Sequence, residues 1–306
     1  MTSKQPFRVK TISEFHKLKG LPQPKHPLIS VIDYADIQCT PEIEATNWIF
    51  DFYNIAIKRG VDARLKYGQQ DYDFDEGVLF FLSPNQVFGV VPINNNDTNR
   101  SGWMLLIHPD FFWNTSLSKN INQYDFFGYS VNEALLLSNK EEAILKDIIK
   151  NIEQECNENT DNFSQSIIIS QIETLLNYSE RFYQRQFITR KKANYQILTQ
   201  LEEILSQYFS SENLTENGLP SVQFIAETLN LSPNYLSNLL KSLTGQSTQQ
   251  HIQNKLIEKA KEKLTTTSLS VSEIAYGLGF EHSQSFSKLF KTKTNLSPIE
   301  FRQSFN

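Results

Sequence analysis

The chain has 306 residues, of which 39% are hydrophobic, and this is enough to bury the cores of two domains. No run of 18 or more apolar residues occurs, and the N-terminal MTSKQPFRVK lacks the apolar stretch of a signal peptide. We therefore expect a cytoplasmic protein with no membrane partner. Cys39 and Cys156 are the only cysteines, which excludes a disulfide framework and a cysteine zinc cluster.

The net charge of −5 argues, taken alone, against a nucleic-acid binder, but the charge is unevenly distributed. Residues 1–190 carry 18 Lys+Arg and 24 Asp+Glu, a net charge of −6, whereas residues 191–306 carry 11 and 10, a net charge of +1. Within residues 231–306 the balance is nine basic against five acidic residues, or +4. This excess is weak evidence until the positions of the charges are considered.

Residues 28–107 predict several consecutive short antiparallel strands. Short runs of β-branched and aromatic residues are separated by Gly68, Gly77, Pro84, Asn85 and Pro92. The runs are residues 28–35, 52–60, 63–68, 71–77, 78–86, 87–93 and 103–109. This spacing is typical of a small barrel or sandwich.

Two helices are predicted after the strands, at about residues 139–155 and 163–187. The second has an apolar stripe at steps of three and four residues, formed by Ile168, Ile172, Leu175, Leu176, Phe182 and Tyr183. This stripe could pack against its own domain or against a second subunit. Because Arg181 and Arg185 lie among aromatic residues, a composition common at interfaces, we hypothesise a homodimer through this helix.

The C-terminal region contains an internal repeat. VQFIAETLNLS (222–232) aligns with VSEIAYGLGFE (271–281) at a shift of 49, and YLSNLLKSLTGQS (235–247) aligns with SFSKLFKTKTNLS (285–297) at a shift of 50. Each copy predicts a helix-turn-helix unit, over residues 222–243 and 271–293. Ala226 and Ala275 are the small residues expected where the two helices cross, and Asn230 and Gly279 are expected to take the positive φ of the turn.

One amphipathic linker helix is predicted between the copies, over residues 247–264. Ile252, Leu256, Ala260 and Leu264 recur every four residues along it. At ~1.5 Å per residue this helix is about 25 Å long, so the second helices of the two units could lie roughly one DNA turn, about 34 Å, apart. Helix starts are expected at Ser232 followed by Pro233, and at three capping boxes, which are Ser247 with Gln250, Ser270 with Glu273, and Ser297 with Glu300.

The outward positions of the two second helices carry short polar and basic side chains and no acid. Base edges are read by such donors and acceptors, and phosphates are bound by lysines, hydroxyls and helix N-termini. The alternative is an ordinary solvated helix face, but a duplicated unit on a rigid spacer favours binding to double-stranded DNA. The predicted DNA-binding residues are Pro233, Asn234, Tyr235, Ser237, Asn238 and Lys241 in the first copy, and His282, Ser283, Gln284, Ser285, Ser287, Lys288 and Lys291 in the second.

Residues 195–305 resemble the DNA-binding domain of bacterial transcription regulators of the AraC/XylS type. The resemblance is carried by IAETLNLSPNYLSNLLKSLTGQS, by the linker KLIEKAKEKL, and above all by SVSEIAYGLGFEHSQSFSKLFKTKTNLSPIEFR. It implies an all-α domain with two helix-turn-helix units, specific operator binding that activates or represses transcription, and RNA polymerase as a further partner. The chain departs from the family pattern at Lys255 and Lys288, where arginine is usual, and at Asn238, which replaces a frequent arginine. Lysine lacks the bidentate geometry of arginine.

The N-terminal domain is similar, in DEGVLFFLSPNQ (75–86) and GWMLLIHPDFF (102–112), to the cupin-like barrels that precede this domain in many relatives. The resemblance implies a small effector or a role in dimerisation, but it does not identify effector-binding residues. The expected fold class is therefore α+β. Residues 1–190 are expected to form a cupin-like antiparallel β-barrel with two helices, and residues 195–305 an all-α double helix-turn-helix domain.

No feature of the sequence indicates catalysis, a metal or a cofactor. A cupin oxygenase needs two histidines two residues apart, a carboxylate and a third histidine, but the N-terminal domain has only His16, His26 and His108. His108 is expected to be a packed or turn histidine, and no phosphate-binding loop or nucleophile elbow occurs. The dense aromatic residues around Trp48 and Trp103 favour an aromatic core over an aromatic ligand pocket. Two functions remain: a sequence-specific regulator, and a largely non-specific or architectural DNA-binding protein without an effector.

Overall fold

The structure, a computed structural model, describes residues 6–37, 47–59, 77–89, 101–129, 133–158, 161, 163–189, 191–210, 214 and 218–304. The chain divides into two units, Met1–Gln186 and Phe187–Asn306. The strands predicted at 63–68 and 71–76, the end of the strand predicted at 87–93, and Cys39 lie outside the described residues.

The first unit contains two β-sheets. A five-stranded antiparallel sheet has the order β2-β7-β4-β5-β8, and a second sheet has the order β1-β3-β6. The strands are β1 (Phe7–Val9), β2 (Ile29–Asp33), β3 (Asn47–Phe50), β4 (Tyr53–Arg59), β5 (Val78–Leu82), β6 (Val87–Gly89), β7 (Ser101–Ile107) and β8 (Leu135–Leu136). One pairing corrects the expectation of purely antiparallel strands, because β1 runs parallel to β3.

An aromatic core lies between the two sheets. Trp48 and Phe50 from the smaller sheet pack in one cluster with Phe80 and Leu106 from the larger sheet and with Phe15. Phe15 lies on helix α1 (Ile12–Leu18), which the sequence analysis did not predict. The described strands thus form a sheet-rich unit around a common core, and a closed cupin-like barrel remains a prediction.

Two long helices follow the sheets, α3 (Asn139–Asn157) and α4 (Ser164–Thr189), after the short α2 (Leu117–Asn120). All six residues of the apolar stripe on α4 are buried within the single chain. Tyr183 of this stripe stacks on Phe126, and its hydroxyl donates a hydrogen bond to the carbonyl of Glu133. These contacts correct the hypothesis that the stripe serves a second subunit. Arg185, also assigned there to the interface, instead pairs with Glu141 at 2.7 Å.

The second unit is helical and has one core to which all its long helices contribute. The helices are α5 (Lys191–Ser210), α6 (Val222–Thr228), α7 (Pro233–Thr244), α8 (Thr248–Thr266), α9 (Val271–Gly277), α10 (Ser283–Thr294) and α11 (Pro298–Gln303). Helix α8 is the linker helix, and it buries Ile252, Leu256, Ala260 and Leu264 in this core. Its predicted end at 264 is two residues too early. Arg302 of α11 donates hydrogen bonds to the carbonyls of Leu264 and Leu269 and so ties the last helix to the end of the linker helix.

A half-buried hydrogen-bonded corner joins α7 to the linker helix. The Thr244 hydroxyl lies 2.8 Å from the carbonyl of Leu240 and 2.9 Å from Nε2 of His251. A hydroxyl has one proton, so in the His251 tautomer with its proton on Nε2 the imidazole donates to Thr244 while Thr244 donates to the carbonyl of Leu240. Burial lowers the pKa of His251 from its ordinary 6.5, against a smaller opposing effect of Glu202.

Two glycines of this unit, Gly245 and Gly279, both have positive φ but differ in the space that an added Cβ would find. At Gly279, φ is +81°, and a Cβ would lie 2.8 Å from the carbonyl oxygen of Leu214 and 3.0 Å from Cα of Gly218, whereas at Gly245, with φ +74°, a Cβ would meet open space. The backbone conformation alone costs about 1 to 2 kcal/mol with alanine. We expect Gly245→Ala to lose about that much unfolding free energy and Gly279→Ala clearly more, because the backbone of Leu214 and Gly218 must also shift. Denaturant unfolding of the two variants would contradict this assignment if the losses were equal.

The lowered pKa of His251 predicts that part of the unfolding free energy is lost in acid. Since its pKa is lowered on folding, the unfolded chain binds the proton more readily, and stability that is present above pH 6.5 is lost as the pH falls through 6.5 toward the lower folded pKa. We expect His251→Gln, whose amide can still donate to Thr244, to reduce the loss of stability between pH 7.5 and 5. Denaturant unfolding at a series of pH values measures this, and the comparison at pH 8, where His251 is neutral in both states, isolates the effect of the changed hydrogen bond. Equal pH dependence in the variant and the wild type would contradict the prediction.

Candidate nucleic-acid interface

The internal repeat is a repeat of structure, with the shifts predicted from the sequence. Helices α6 and α9 begin at residues 222 and 271, a shift of 49, and helices α7 and α10 span 233–244 and 283–294, a shift of 50. Both α7 and α10 end at a left-handed residue, Gly245 and Asn295. The two pairs can therefore be compared position by position.

Each turn between paired helices is built in the same way. Asn230 and Gly279 both have positive φ, of 55° and 81°, as predicted. The next residue in each copy donates its backbone N–H to the crossing alanine, Leu231 to Ala226 at 2.9 Å and Phe280 to Ala275 at 3.0 Å. Both alanines are fully buried, so no larger side chain would fit at the crossing. This geometry fixes the angle between the two helices of each pair.

The predicted helix starts are confirmed. The Ser232 side chain accepts a hydrogen bond from the N–H of Tyr235, and capping boxes are present at Ser247, Ser270 and Ser297. The linker helix then runs for 19 residues, which corresponds to about 28 Å at ~1.5 Å per residue. Helices from both pairs pack on it in one core, so it acts as a rigid spacer between them.

The outer face of α10, which we call the second recognition helix, is open. His282, Gln284, Ser285, Lys288 and Lys291 are exposed, and Ser283 and Ser287 are half-buried. None of these seven side chains makes a hydrogen bond or ion pair within the described part of the chain. Lys291 acts only at longer range, where it helps to lower the pKa of Glu300, mainly lowered by hydrogen bonds from Ser297. These groups are available to a ligand.

The outer face of α7, the first recognition helix, is more occupied. Asn234 and Lys241 are exposed, whereas Pro233, Ser237 and Asn238 are half-buried. Tyr235 departs from its predicted position on the outer face, because it is only 6% exposed and packs edge-on against the ring of Phe187, 5.2 Å between centroids. The Ser237 hydroxyl lies 3.1 Å from that of Thr248, at the start of the linker helix.

Neither recognition helix contains an acidic residue, and the structure adds Lys293 to the cations at the end of α10. Lys293 is exposed and donates to Asn254 Oδ1 at 3.3 Å. The repeat did not indicate it, because Leu243 occupies the equivalent position in the first copy. Lys255, one of the residues that departs from the family pattern, is paired with Glu258 at 3.1 Å and so has part of its charge balanced.

The remaining histidine prediction concerns the first unit. His108 caps the short 3-10 helix Pro109–Phe112 by accepting a hydrogen bond from the N–H of Asp110, which confirms it as a turn histidine. Among the described residues, no group of three or more His, Cys, Asp or Glu side chains is placed to hold a metal ion. A search of the described helices found none with the length and apolar character needed to cross a membrane.

Comparison with known proteins places this interface in a family. Residues 225–304 match the model of a helix-turn-helix domain family. The chain is 32% identical over 143 residues to the uncharacterised HTH-type transcriptional regulator YfiF of Bacillus subtilis, 36% over 106 residues to the HTH-type transcriptional activator RhaS of Salmonella schwarzengrund, and 36% over 84 residues to the raffinose operon transcriptional regulatory protein RafR of Pediococcus pentosaceus. These matches cover 46%, 35% and 28% of this chain and 42%, 36% and 30% of the relatives, so less than half of each relative is spanned.

Among solved structures, the C-terminal domain of the two-component response regulator yesN from Fusobacterium nucleatum is 30% identical, with 34% of this chain and 95% of that chain covered and a TM-score of 0.30. The family model falls on the two helix pairs and the linker helix. The C-terminal unit of this chain is therefore a helix-turn-helix domain of the AraC/XylS type.

Proposed function

We propose that this protein is a sequence-specific DNA-binding transcription regulator that places its two recognition helices in successive major grooves of one duplex. The observation that carries the proposal is the pair of equivalent helices, α7 and α10, with acid-free outer faces and a rigid spacer between them. An α-helix fits the major groove, and a spacer of about 28 Å plus the width of the helix pairs approaches the repeat of about 34 Å between neighbouring grooves.

The exposed side chains supply the chemistry that such binding needs. The amide of Gln284 can pair with adenine, that of Asn234 can donate to a phosphate, serine hydroxyls can pair with either donors or acceptors on base edges, and Lys288 and Lys291 can bind phosphates. The regulators to which the chain is similar support transcription control as the purpose of this binding. RNA polymerase is then a natural further partner.

The alternative is a largely non-specific or architectural DNA-binding protein. It is favoured by the absence of arginine from both recognition helices, since lysine binds phosphate as a point charge and lacks the bidentate fork that reads guanine. The two functions differ in the ratio of affinities for a selected site and for random duplex. A specific regulator should prefer its site by ~10³ or more.

DNA binding is tested by removing the two central lysines of α10. A site is first selected from a randomised duplex library, and its footprint is mapped. We expect the Lys288→Gln/Lys291→Gln variant to bind more weakly and to reduce the slope of log affinity against log salt by about 2, one for each lost phosphate contact. Lys150→Gln, an exposed lysine on α3 of the first unit, is the control and should leave both quantities unchanged. A selected-to-random ratio near 1 in the wild type would favour the architectural alternative.

The first unit is proposed to bind a small effector between its two sheets. Asn54 lies on β4 between Leu82 and Leu106, which face that aromatic core. Its side chain is 2% exposed, and its Oδ1 has no hydrogen-bond partner among the described residues. A buried unpaired amide oxygen costs free energy, which a ligand with a hydrogen-bond donor would recover. We also propose that the protein forms a homodimer, with an interface other than the apolar stripe of α4. A dimer would bring four helix-turn-helix units to one site, so the length of the DNA footprint reports how many units bind.

The effector is tested by tryptophan emission. Trp48 lies in the core between the sheets, whereas Trp103 is buried outside that cluster and Trp113 is 76% exposed. We expect an effector to change the emission of the wild type and of Trp103→Phe, and to raise the melting temperature, but to leave the emission of Trp48→Phe unchanged. Titration with a panel of small metabolites measures this. A ligand that changes the emission of Trp48→Phe and not that of Trp103→Phe would place the site elsewhere.

A further inference from the structure

We infer that the second recognition helix carries most of the base discrimination, while the first mainly anchors the protein on the duplex. The inference rests on the proposed function and assigns unequal roles to the two copies of one motif. It follows from a comparison of equivalent positions. Helices α7 and α10 have the same length, and each residue of α7 corresponds to the residue 50 positions later in α10. At three positions the first helix uses its side chain within the protein or buries it, and the second leaves it available; a fourth difference lies in the other exposed side chains.

The first two differences lie at the helix N-termini. Ser232 is 7% exposed and caps α7, whereas His282 at the same position of α10 is exposed and makes no capping hydrogen bond. Tyr235 is buried against Phe187, whereas its equivalent Ser285 is exposed. Phe187 comes from the last turn of α4, which lies outside the aligned repeat. The burial of Tyr235 is thus imposed by a neighbour outside the repeat.

The third difference has its cause one residue beyond the aligned repeat. The Ser237 hydroxyl is hydrogen bonded to Thr248, the first residue of the linker helix. In the second copy the equivalent serine is Ser287, and the position equivalent to Thr248 is Pro298, which has no hydroxyl. The replacement of a threonine by a proline at the next helix start therefore leaves Ser287 with a hydroxyl available for a base edge.

The fourth difference lies in the number and chemistry of the exposed side chains on the two helices. The first helix offers two exposed predicted contacts, the amide of Asn234 and the ammonium of Lys241. The second offers an imidazole, an amide, hydroxyls and lysines on adjoining turns, without intramolecular hydrogen bonds in the described residues. Base discrimination needs several donors and acceptors that are not already satisfied, whereas anchoring needs only a charge and a fitting helix.

The test compares the two exposed amides at equivalent positions, Gln284 and Asn234. Full-length wild type, Gln284→Ala and Asn234→Ala are each used to select sites from a randomised duplex library, and affinities for the wild-type site and for random duplex are measured by competition. We expect Gln284→Ala to lose about tenfold in the ratio of selected-site to random affinity, with relaxed preference at one base pair. Asn234→Ala should weaken both affinities similarly and leave the base preference unchanged. Both residues are exposed, so both variants should melt at the wild-type temperature.

The two serines provide a second comparison with opposite expected results. Ser237→Ala should lower the melting temperature, because Thr248 loses its partner, and should leave base preference unchanged. Ser287→Ala should keep the melting temperature and change the base preference. The inference is overturned if Asn234→Ala or Ser237→Ala relaxes discrimination as much as the second-helix variant does. A wild type without any preference among duplexes would instead overturn the proposed function itself.

Discussion

The packing of the linker helix between two helix pairs is the constraint on which the C-terminal unit depends. Ile252, Leu256 and Leu264 are almost completely buried in a core that also contains Ile225 from the first pair and Phe286 from the second. Each buried Leu or Ile contributes roughly 1.5 to 3 kcal/mol, so separating the pairs from the linker would cost about 5 to 9 kcal/mol from these three residues alone. A smooth bend of a 20 to 30 base-pair site costs about 1 to 6 kcal/mol. When protein and duplex do not match, the proposed binding mode therefore bends the duplex and keeps the spacing of the protein.

The two copies share what the backbone requires and differ where their neighbours differ. Both turns need positive φ, but Asn230 and Gly279 are not interchangeable, because only the second turn closely approaches the backbone of Leu214 and Gly218. Both recognition helices end in a left-handed residue. Their outer faces have different neighbours, because Phe187 packs against Tyr235 and Thr248 is hydrogen bonded to Ser237, both in the first copy. The two copies thus share one backbone arrangement. Contacts with residues outside the repeat determine which copy has outer side chains that remain available to a ligand.

Local signals predicted the C-terminal unit well because its helices begin and end with local hydrogen bonds. Ser232, Ser247, Ser270 and Ser297 each cap the helix that follows, and a cap needs residues only three positions away. Burial by distant residues was not predictable in the same way. Tyr235 has the pattern of an outward residue, and nothing near it in sequence indicates Phe187.

The first unit was less predictable because its elements are short and its partners are distant. Strand β1 has three residues, too few to show a period, and its parallel pairing with β3 depends on a segment about 40 positions away. The apolar stripe of α4 was visible, but periodicity indicates only that a face is covered, not what covers it. Ring contacts of Tyr183 with Phe81 and Phe126 supply that answer.

Charge limits how the proposed DNA binding can achieve specificity. Residues 231–306 contain nine basic and five acidic residues, and two of the lysines, Lys255 and Lys259, are paired with glutamates along the linker helix. Few cations remain to neutralise phosphates, so the sequence-independent part of the affinity must be small, with a shallow dependence on salt. A small non-specific term raises the ratio between a correct site and random duplex for any given set of base contacts. Discrimination must then come from uncharged donors and acceptors, and in the described residues these are concentrated on the outer face of α10, at Gln284, Ser285 and Ser287.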